Sequence, residues 1–224
     1  MRTHRMRAVQ KPPYALNTIT FISAVSMQES TTPVVSHTFT SVNLGPAYPG
    51  RRIVLVIGTT ASSTTSGQIS SVTVGGVSAT QRSIYNGTGT NSIVTAIYDI
   101  IDTNNTTADI TVTLGAAGTI NSRIVHVYSL YSTATTVLSS SAATTPFEFT
   151  RTFVAGDVYI AGGRCLSTAT ETWSNATVNQ ATVETGRQRT SSASYAPAEA
   201  GSRTIKFTPS STTSAWMVSA VYTS

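Results

Sequence analysis

Three aspartates lie close enough together in the sequence to suggest acid–base chemistry. Asp99 and Asp102 are three residues apart near the end of an apolar run, and Asp109 follows them. A glycosidase needs two carboxyl groups flanking a cleft, one as proton donor and one as nucleophile or base. Residues 102–107 are Asp-Thr-Asn-Asn-Thr-Thr, however, and short Asp and Asn side chains commonly hydrogen-bond the backbone of a turn. We favour the turn and assign no catalytic residue.

Other residue types that carry catalysis or bind metals are scarce. His4, His37 and His126 are widely separated, and packed or capping histidines are commoner than catalytic ones. The chain has no HExxH, paired CxxC or EF-hand pattern, which supply the usual ligands of zinc and calcium. Cys165, the single cysteine, follows the apolar run 158–161, so we predict a buried, structural thiol. We therefore expect no metal, no cofactor and no enzymatic activity.

The aromatic residues could include a platform on which a sugar ring stacks. Aromatic side chains of β-proteins more often pack in the core or pair across strands. Trp173 differs in context, because it lies in the polar segment Glu171-Thr172-Trp173-Ser174-Asn175. We keep Trp173 as a candidate glycan contact.

The formal net charge of +5 is concentrated at the N-terminus. Arg2, Arg5, Arg7 and Lys11 supply four of these charges, whereas the rest of the chain carries 10 basic and 9 acidic side chains. A protein that follows a phosphate backbone needs a basic face, so we expect no nucleic-acid partner. We predict that residues 1–14 form a basic arm whose charged side chains bind a protein partner, gaining affinity as the arm becomes ordered.

The composition predicts a neutral surface covered with hydroxyl groups. Ser and Thr make up about a third of the chain, and only 10% of the residues are charged. A hydrophobic content of 40% is too high for disorder, and β-branched Thr suits strands. No run of 18 apolar residues occurs, and Pro12 and Pro13 interrupt any secretory signal. We expect a protein made in the cytoplasm, with no membrane partner.

Short apolar and β-branched runs bounded by Gly, Pro, Asn or Ser recur along the chain without a helical period. The fold class expected is all-β, an antiparallel β-sandwich of jelly-roll-like type with an extended N-terminal arm. Strands are predicted near residues 17–26, 34–44, 52–58, 69–74, 77–84, 92–101, 107–114, 122–131, 147–153, 157–164, 177–184, 203–208 and 215–223.

Three segments carry the sharpest structural signals. The Gly75-Gly76 pair between two Val-rich runs predicts a tight hairpin, because glycine adopts positive φ without steric cost. The almost continuously apolar run 52–58 predicts a central strand covered on both faces. Residues 132–146 are low in complexity, and we favour a long loop within one sandwich spanning 15–224. A subdivision into two domains near 132–146 is the alternative.

Five segments together resemble structural proteins of tailed bacteriophages and prophages. They are residues 39–45 (FTSVNLG), 51–58 (RRIVLVIG), 69–80 (ISSVTVGGVSAT), 93–98 and 124–131. The resemblance covers about two-thirds of the chain and implies a jelly-roll-like or immunoglobulin-like sandwich on a virion, as head decoration (cement), fibre or tail module. It supplies no active-site residues.

The function expected from these observations is that of a virion structural protein. We expect it to stabilise or decorate a phage capsid through contacts with the major capsid protein or other virion proteins, as a homotrimer. The alternative is a tail, fibre or carbohydrate-binding module that contacts the host surface.

Overall fold

The described part of the chain folds into strands and their connections. The computed structural model describes residues 18–30, 34–61, 68–87, 92–102, 104–116, 121–131, 136–142, 145–166, 169–183, 188–212 and 215–223. These residues contain no helix, which confirms the all-β class. The strands are β1 (Thr18–Ser30), β2 (Ser36–Asn43), β3 (Arg51–Ala61), β4 (Ile69–Val74), β5 (Val77–Ser78), β6 (Thr80–Gly87), β7 (Ser92–Ile101), β8 (Thr107–Leu114), β9 (Asn121–Tyr131), β10 (Thr136–Ala142), β11 (Phe147–Phe153), β12 (Val158–Leu166), β13 (Glu171–Ser174), β14 (Thr177–Val183), β15 (Gln188–Tyr195), β16 (Gly201–Pro209) and β17 (Trp216–Thr223).

The strands form four antiparallel sheets that stack as four layers. The first outer sheet has the order β2-β8-β4-β5, and it covers the first inner sheet, β1-β9-β3-β7-β6. The second inner sheet, β10-β17-β12-β15-β14, packs against the first inner sheet. The second outer sheet, β11-β16-β13, covers the other face of the second inner sheet.

Each half of the chain has the strand order of a jelly roll. When β1–β9 are numbered 1 to 8, with β5 and β6 together as strand 5, the inner sheet has the order 1-8-3-6-5 and the outer sheet 2-7-4-5. Numbering β10–β17 in the same way gives 1-8-3-6-5 and 2-7-4. An eight-stranded jelly roll pairs its strands in this order, so the jelly-roll-like sandwich is confirmed. Each half buries a core between its own sheets, so the described residues form two stacked sandwiches.

The central strand predicted at 52–58 is β3, which lies in the middle of the first inner sheet. All 11 of its residues are buried. Ile53, Leu55 and Ile57 face the first outer sheet, whereas Val54 and Val56 face the second inner sheet. A strand with a core on each face has no solvent side, which is why its sequence is apolar without alternation.

The predicted Gly-Gly hairpin is confirmed. Val74 pairs with Val77, and the two glycines between them have φ of 57° and 80°. Positive φ at both central residues is what a tight primed turn requires.

Three strands escaped the sequence analysis. β10 lies within 132–146, where we had favoured a loop, and β13 is only 4 residues long. β15 is largely buried, although its sequence, QRTSSASY, is mostly small and polar. Its buried hydroxyl groups bond to aromatic and imidazole side chains of other strands, so hydrogen bonding takes the place of hydrophobicity there.

The change from the first to the second jelly roll falls between Tyr131 and Thr136, inside the segment where a subdivision was the alternative. Whether the two sandwiches are separately stable domains stays a prediction. The basic arm, residues 1–14, lies outside the described residues.

Candidate functional site

The aspartates singled out in the sequence have structural partners. Asp99 is 1% exposed, and its Oδ2 accepts hydrogen bonds of 2.9 Å from both Arg52 and Arg82. Asp102 accepts bonds from the backbone N–H groups of Asn104 and Asn105 at 3.0 and 3.1 Å, which is the turn that the sequence predicted. Both carboxylates therefore bond to groups of the fold itself.

A buried arginine builds the loop that contains Asp102. The guanidinium of Arg51 is fully buried and donates to the carbonyl oxygens of Asp102, Gly45, Pro46 and Asn105. It also lies 3.6 Å from the Asp102 carboxylate. A buried charge is tolerated when it is paired and hydrogen-bonded, and this one fixes two loops at once.

The two described histidines have packing roles. The His37 ring lies edge-on to Phe39, with 4.6 Å between ring centroids. His126 is fully buried between the inner sheets, where Nδ1 lies 2.9 Å from Ser192 Oγ and Nε2 3.0 Å from Thr182 Oγ1. Burial lowers the pKa of His126 to about 3. His4 lies outside the described residues.

Cys165 is buried, as predicted, and its thiol donates to Glu171 Oε2 over 3.6 Å. Burial, reinforced by the neighbouring Glu171 carboxylate, raises the pKa of this thiol to about 12. Because the thiolate is the reactive form, such a pKa describes an unreactive, structural cysteine.

Trp173, the candidate glycan contact, is half-buried between the second outer and second inner sheets. Its ring lies 5.0 Å from that of Phe207, and its indole N–H donates to Ser191 Oγ at 3.0 Å. Both the face and the polar edge of this ring therefore contact the protein itself.

The two inner sheets meet at unusually close range. A Cβ atom on Gly162 would lie 2.6 Å from Val56 and 3.1 Å from Thr95, and a Cβ on Gly58 would overlap Arg164 and Thr190. Gly58 in β3 and Gly162 in β12 are also equivalent positions in the two halves. Gly58 lies four residues after Val54, which pairs with Tyr128 of β9. Gly162 lies four residues after Val158, which pairs with Tyr222 of β17. The jelly rolls thus contact each other through the same strand.

The same contact is reciprocal in the neighbouring strands. Trp216 of β17 donates to Thr95 of β7 at 2.8 Å. His126 and Tyr128 of β9 contact Ser192 of β15. In the jelly-roll numbering, β9 and β17 are both strand 8, and β7 and β15 are both strand 6. The contacts are therefore reciprocal at the level of strands, β17 with β7 and β9 with β15, although not residue by residue.

A cleft of about 600 Å³, which we call the first cleft, lies at the β4–β5 turn of the first jelly roll. It is lined by hydroxyl groups, one amide and one carboxylate on β2, β4, β8 and the β7–β8 loop. Its polar lining residues are Thr38, Thr73, Asn105, Thr107, Asp109 and Thr111, beside the Gly75-Gly76 turn.

A cleft of about 360 Å³, the second cleft, lies at the β13–β14 turn of the second jelly roll. Asn175, Ala176 and Thr177 form one wall, and Tyr195 and Arg203 form the other. Sequence analysis missed both clefts. The features of the sequence that could have indicated them are Gly75 and Asn175, two turn residues of types that tolerate positive φ.

Another cleft of about 360 Å³ is lined mainly by apolar groups, including Pro146, Phe147, Phe207 and Pro209. Phe147 and Phe207 belong to the core of the second jelly roll, so this cleft is an opening at the rim of that core.

Comparisons with models of known protein families, with characterised proteins and with solved structures found no match to this chain. Within the described part of the chain, no group of three or more His, Cys, Asp or Glu side chains is placed to hold a metal ion. The described residues also include no helix long and apolar enough to cross a membrane.

Proposed function

We propose that the protein is a structural subunit of a tailed-phage virion, which stabilises or decorates the capsid through protein–protein contacts. The observation that carries this proposal is the architecture of two jelly rolls stacked as a four-layer slab. Jelly rolls recur in viral capsid proteins. The sequence resemblance to phage structural proteins points in the same direction.

The distribution of charge supports an assembly role. Among the described residues, six charged side chains are buried, namely Arg51, Arg52, Asp99, Arg123, Asp157 and Arg164. The first outer sheet instead presents hydroxyl pairs such as Thr38 with Thr111 at 2.8 Å, and Asp109 is the one Asp, Glu, Lys or Arg residue in its described strands. A face with so few charges allows subunits to approach with little charge repulsion.

Among the described residues, β1 is an edge strand of the first inner sheet, because it pairs with β9 alone. We propose that Arg2, Arg5, Arg7 and Lys11 contact an acidic patch on the major capsid protein, and that the decorating species is a homotrimer without catalytic activity.

Co-sedimentation with expanded capsids tests the role of the arm. Replacing Arg2, Arg5, Arg7 and Lys11 by Ser should weaken binding about 30-fold, since four exposed ion pairs contribute about 2 kcal/mol together. Replacing the three arginines by Lys keeps the charge and should leave most of the binding. Raising the salt concentration should weaken the wild type, because exposed charges are screened.

Full occupancy by the Ser variant would contradict the role of the arm, and binding of the intact protein to tails alone would contradict the head location. Native mass spectrometry should give three times the 23.5 kDa chain mass. Hydrolysis of a bacterial polysaccharide by the purified protein would show that the non-enzymatic assignment is wrong.

A further inference from the structure

We propose that the second cleft binds a carboxylated sugar, and that Arg203 holds the carboxylate group of that sugar. The virion role proposed above does not use this cleft, so either proposal can fail without the other.

The second cleft lies where the inward face of the second outer sheet reaches solvent. Along β16, Phe207 and Ile205 are buried in the core of the second jelly roll. Arg203 is the next residue of that row, because alternate residues of a strand share a face, and it is exposed. The inward row of β16 therefore leads from the apolar core to a cation at the surface.

A second cation lies beside Arg203. Arg151 of β11 is the register partner of Arg203, and residues directly opposed in an antiparallel pair lie on the same face, where like charges are destabilising. Asp157 lies 3.7 Å from Arg151 and compensates that charge. Arg203 takes part in no ion pair within the described ranges, although Glu199 is only four residues before it. The cleft is left with a positive charge that a bound anion would compensate.

The guanidinium of Arg203 is oriented by an aromatic residue. Its Nε–H donates to Tyr195 Oη at 3.2 Å, and the Tyr195 ring is supported edge-to-face by Phe153, with 5.4 Å between ring centroids. The N–H groups on the two Nη nitrogens have no hydrogen-bond partner among the described residues. Two such parallel N–H groups match the two oxygens of a carboxylate. A group that is held in place before binding loses little entropy when the ligand arrives.

Apolar surface adjoins this cation. Ala176 and Tyr195 line the cleft. Val178 pairs with Ala193, which is two residues before Tyr195, so the side chains of Val178 and Tyr195 lie on the same face of the second inner sheet. Val178 is 49% exposed, which is unusual for a large apolar residue of this chain. Apolar surface with a polar edge suits a sugar ring, which has an apolar face and a rim of hydroxyl groups.

The other wall supplies neutral hydrogen-bonding groups. Asn175 Nδ2 donates to Thr204 O at 2.8 Å, so the amide oxygen of Asn175 can accept from a ligand hydroxyl. Thr177 adds a hydroxyl group, and the Tyr195 hydroxyl, which accepts from Arg203, can still donate its own proton. The volume of about 360 Å³ lies at the lower end of the range of small-molecule sites, which favours one sugar unit over an extended peptide.

The test is binding of the full-length chain to immobilised polygalacturonate, polymannuronate and polysialic acid. The variant with four serines in the arm serves as the background, because a basic arm would bind any polyanion. The methyl ester of the polymer that binds is the matched comparison, since it keeps the sugar and removes the charge. We expect the free acid to bind about 30-fold more tightly than the ester, which is typical of a hydrogen bond to a charged group.

Variants of the cleft should change this preference for the free acid. Arg203→Gln should abolish it, whereas Arg203→Lys should retain part of it, because an ammonium group keeps the charge but lacks the planar pair of N–H groups. Tyr195→Phe keeps the ring and removes the hydroxyl that orients Arg203. It should lower the preference about fivefold, an effect on selectivity that a purely structural role would not produce.

Lys206→Gln is the matched control. Lys206 carries the same charge on the same strand, but it is exposed on the opposite face of β16, so this variant should bind as the background does. Circular dichroism checks that every variant is folded.

Four results would each overturn the proposal. They are failure to bind all three polymers, equal binding of the methyl ester, an equal loss in the Arg203 and Lys206 variants, and equal competition by dextran sulfate, which would indicate a general anion site. Tighter binding of polyglutamate than of any sugar polymer would show that the cleft recognises an acidic protein segment instead.

Discussion

At the scale of single residues, one buried hydroxyl group joins the two jelly rolls. Ser192 Oγ of the second inner sheet lies 2.9 Å from His126 Nδ1 and 2.6 Å from Tyr128 Oη of the first. Tyr128 Oη also lies 3.1 Å from Asn179 Oδ1, which accepts from Ser194 at 2.8 Å. A hydroxyl can both donate and accept, so it satisfies polar groups that would otherwise be costly in a dry interface.

His126 should make the protein sensitive to acid. Burial lowers the pKa of the His126 imidazole from 6.5 to about 3. Between these two pH values the imidazole is neutral in the folded state and protonated in the unfolded state. Stability is therefore full above pH 6.5 and falls as the pH decreases from about 6.5 towards 3. The loss should reach about 2 kcal/mol at pH 5, measurable by urea unfolding at pH 7 and 5.

His126→Gln should remove most of that pH dependence, while His37→Gln should retain it, because His37 is only partly buried. Equal acid sensitivity in the wild type and the His126 variant would show that other groups are responsible.

At the scale of elements, the β4–β5 turn sets the register of the first outer sheet and forms one wall of the first cleft. Gly76 has φ of 80° and open space around the position of a Cβ atom. Its requirement for glycine is therefore conformational rather than steric. Gly201, at the start of β16, also has open space but no positive φ.

This pair gives a matched test of backbone conformation. Gly76→Ala should lower the free energy of unfolding by about 1 kcal/mol, because an L-residue is strained in the left-handed region. Gly201→Ala should leave it unchanged or raise it by about 0.5 kcal/mol through the unfolded state. Chemical denaturation of the two variants measures both values, and a similar loss in each would rule out the conformational explanation.

At the scale of the whole molecule, the chain is a tandem repeat whose halves associate like two subunits of a dimer. The interface combines an apolar cluster with Arg164, which is fully buried and donates to Thr190 at 3.1 Å and to Thr60 of the facing strand. Arg52 of the first half lies over the Tyr222 ring of the second at 5.5 Å. Such an interface should hold without a covalent link.

Cutting the chain at a protease site inserted between Tyr131 and Thr136 tests whether the interface holds the two halves together without a covalent link. The two fragments should co-elute as one species in size-exclusion chromatography, because the buried face of each has no other partner among the described residues. Gly162→Ala should weaken their association, since its Cβ would meet Val56 at 2.6 Å, and the cut Gly201→Ala protein should behave as the wild type does. Separation of folded fragments would instead identify two independent domains.

The sequence by itself determined the strands that have a clear pattern of burial, including β3, β7, β8 and the Gly75-Gly76 hairpin, because local periodicity and turn chemistry depend on near neighbours. It also determined the turn role of Asp102 and the burial of Cys165. Only the tertiary structure decided that the chain is two jelly rolls, that Gly58 and Gly162 are equivalent, and that β15 is buried. These features depend on contacts between residues about 60 to 100 positions apart, where Ser192 meets His126 and Arg164 meets Thr60. Small polar side chains look like surface residues until their hydrogen-bond partners are known, so the repeat and both clefts emerge only once the sheets are stacked.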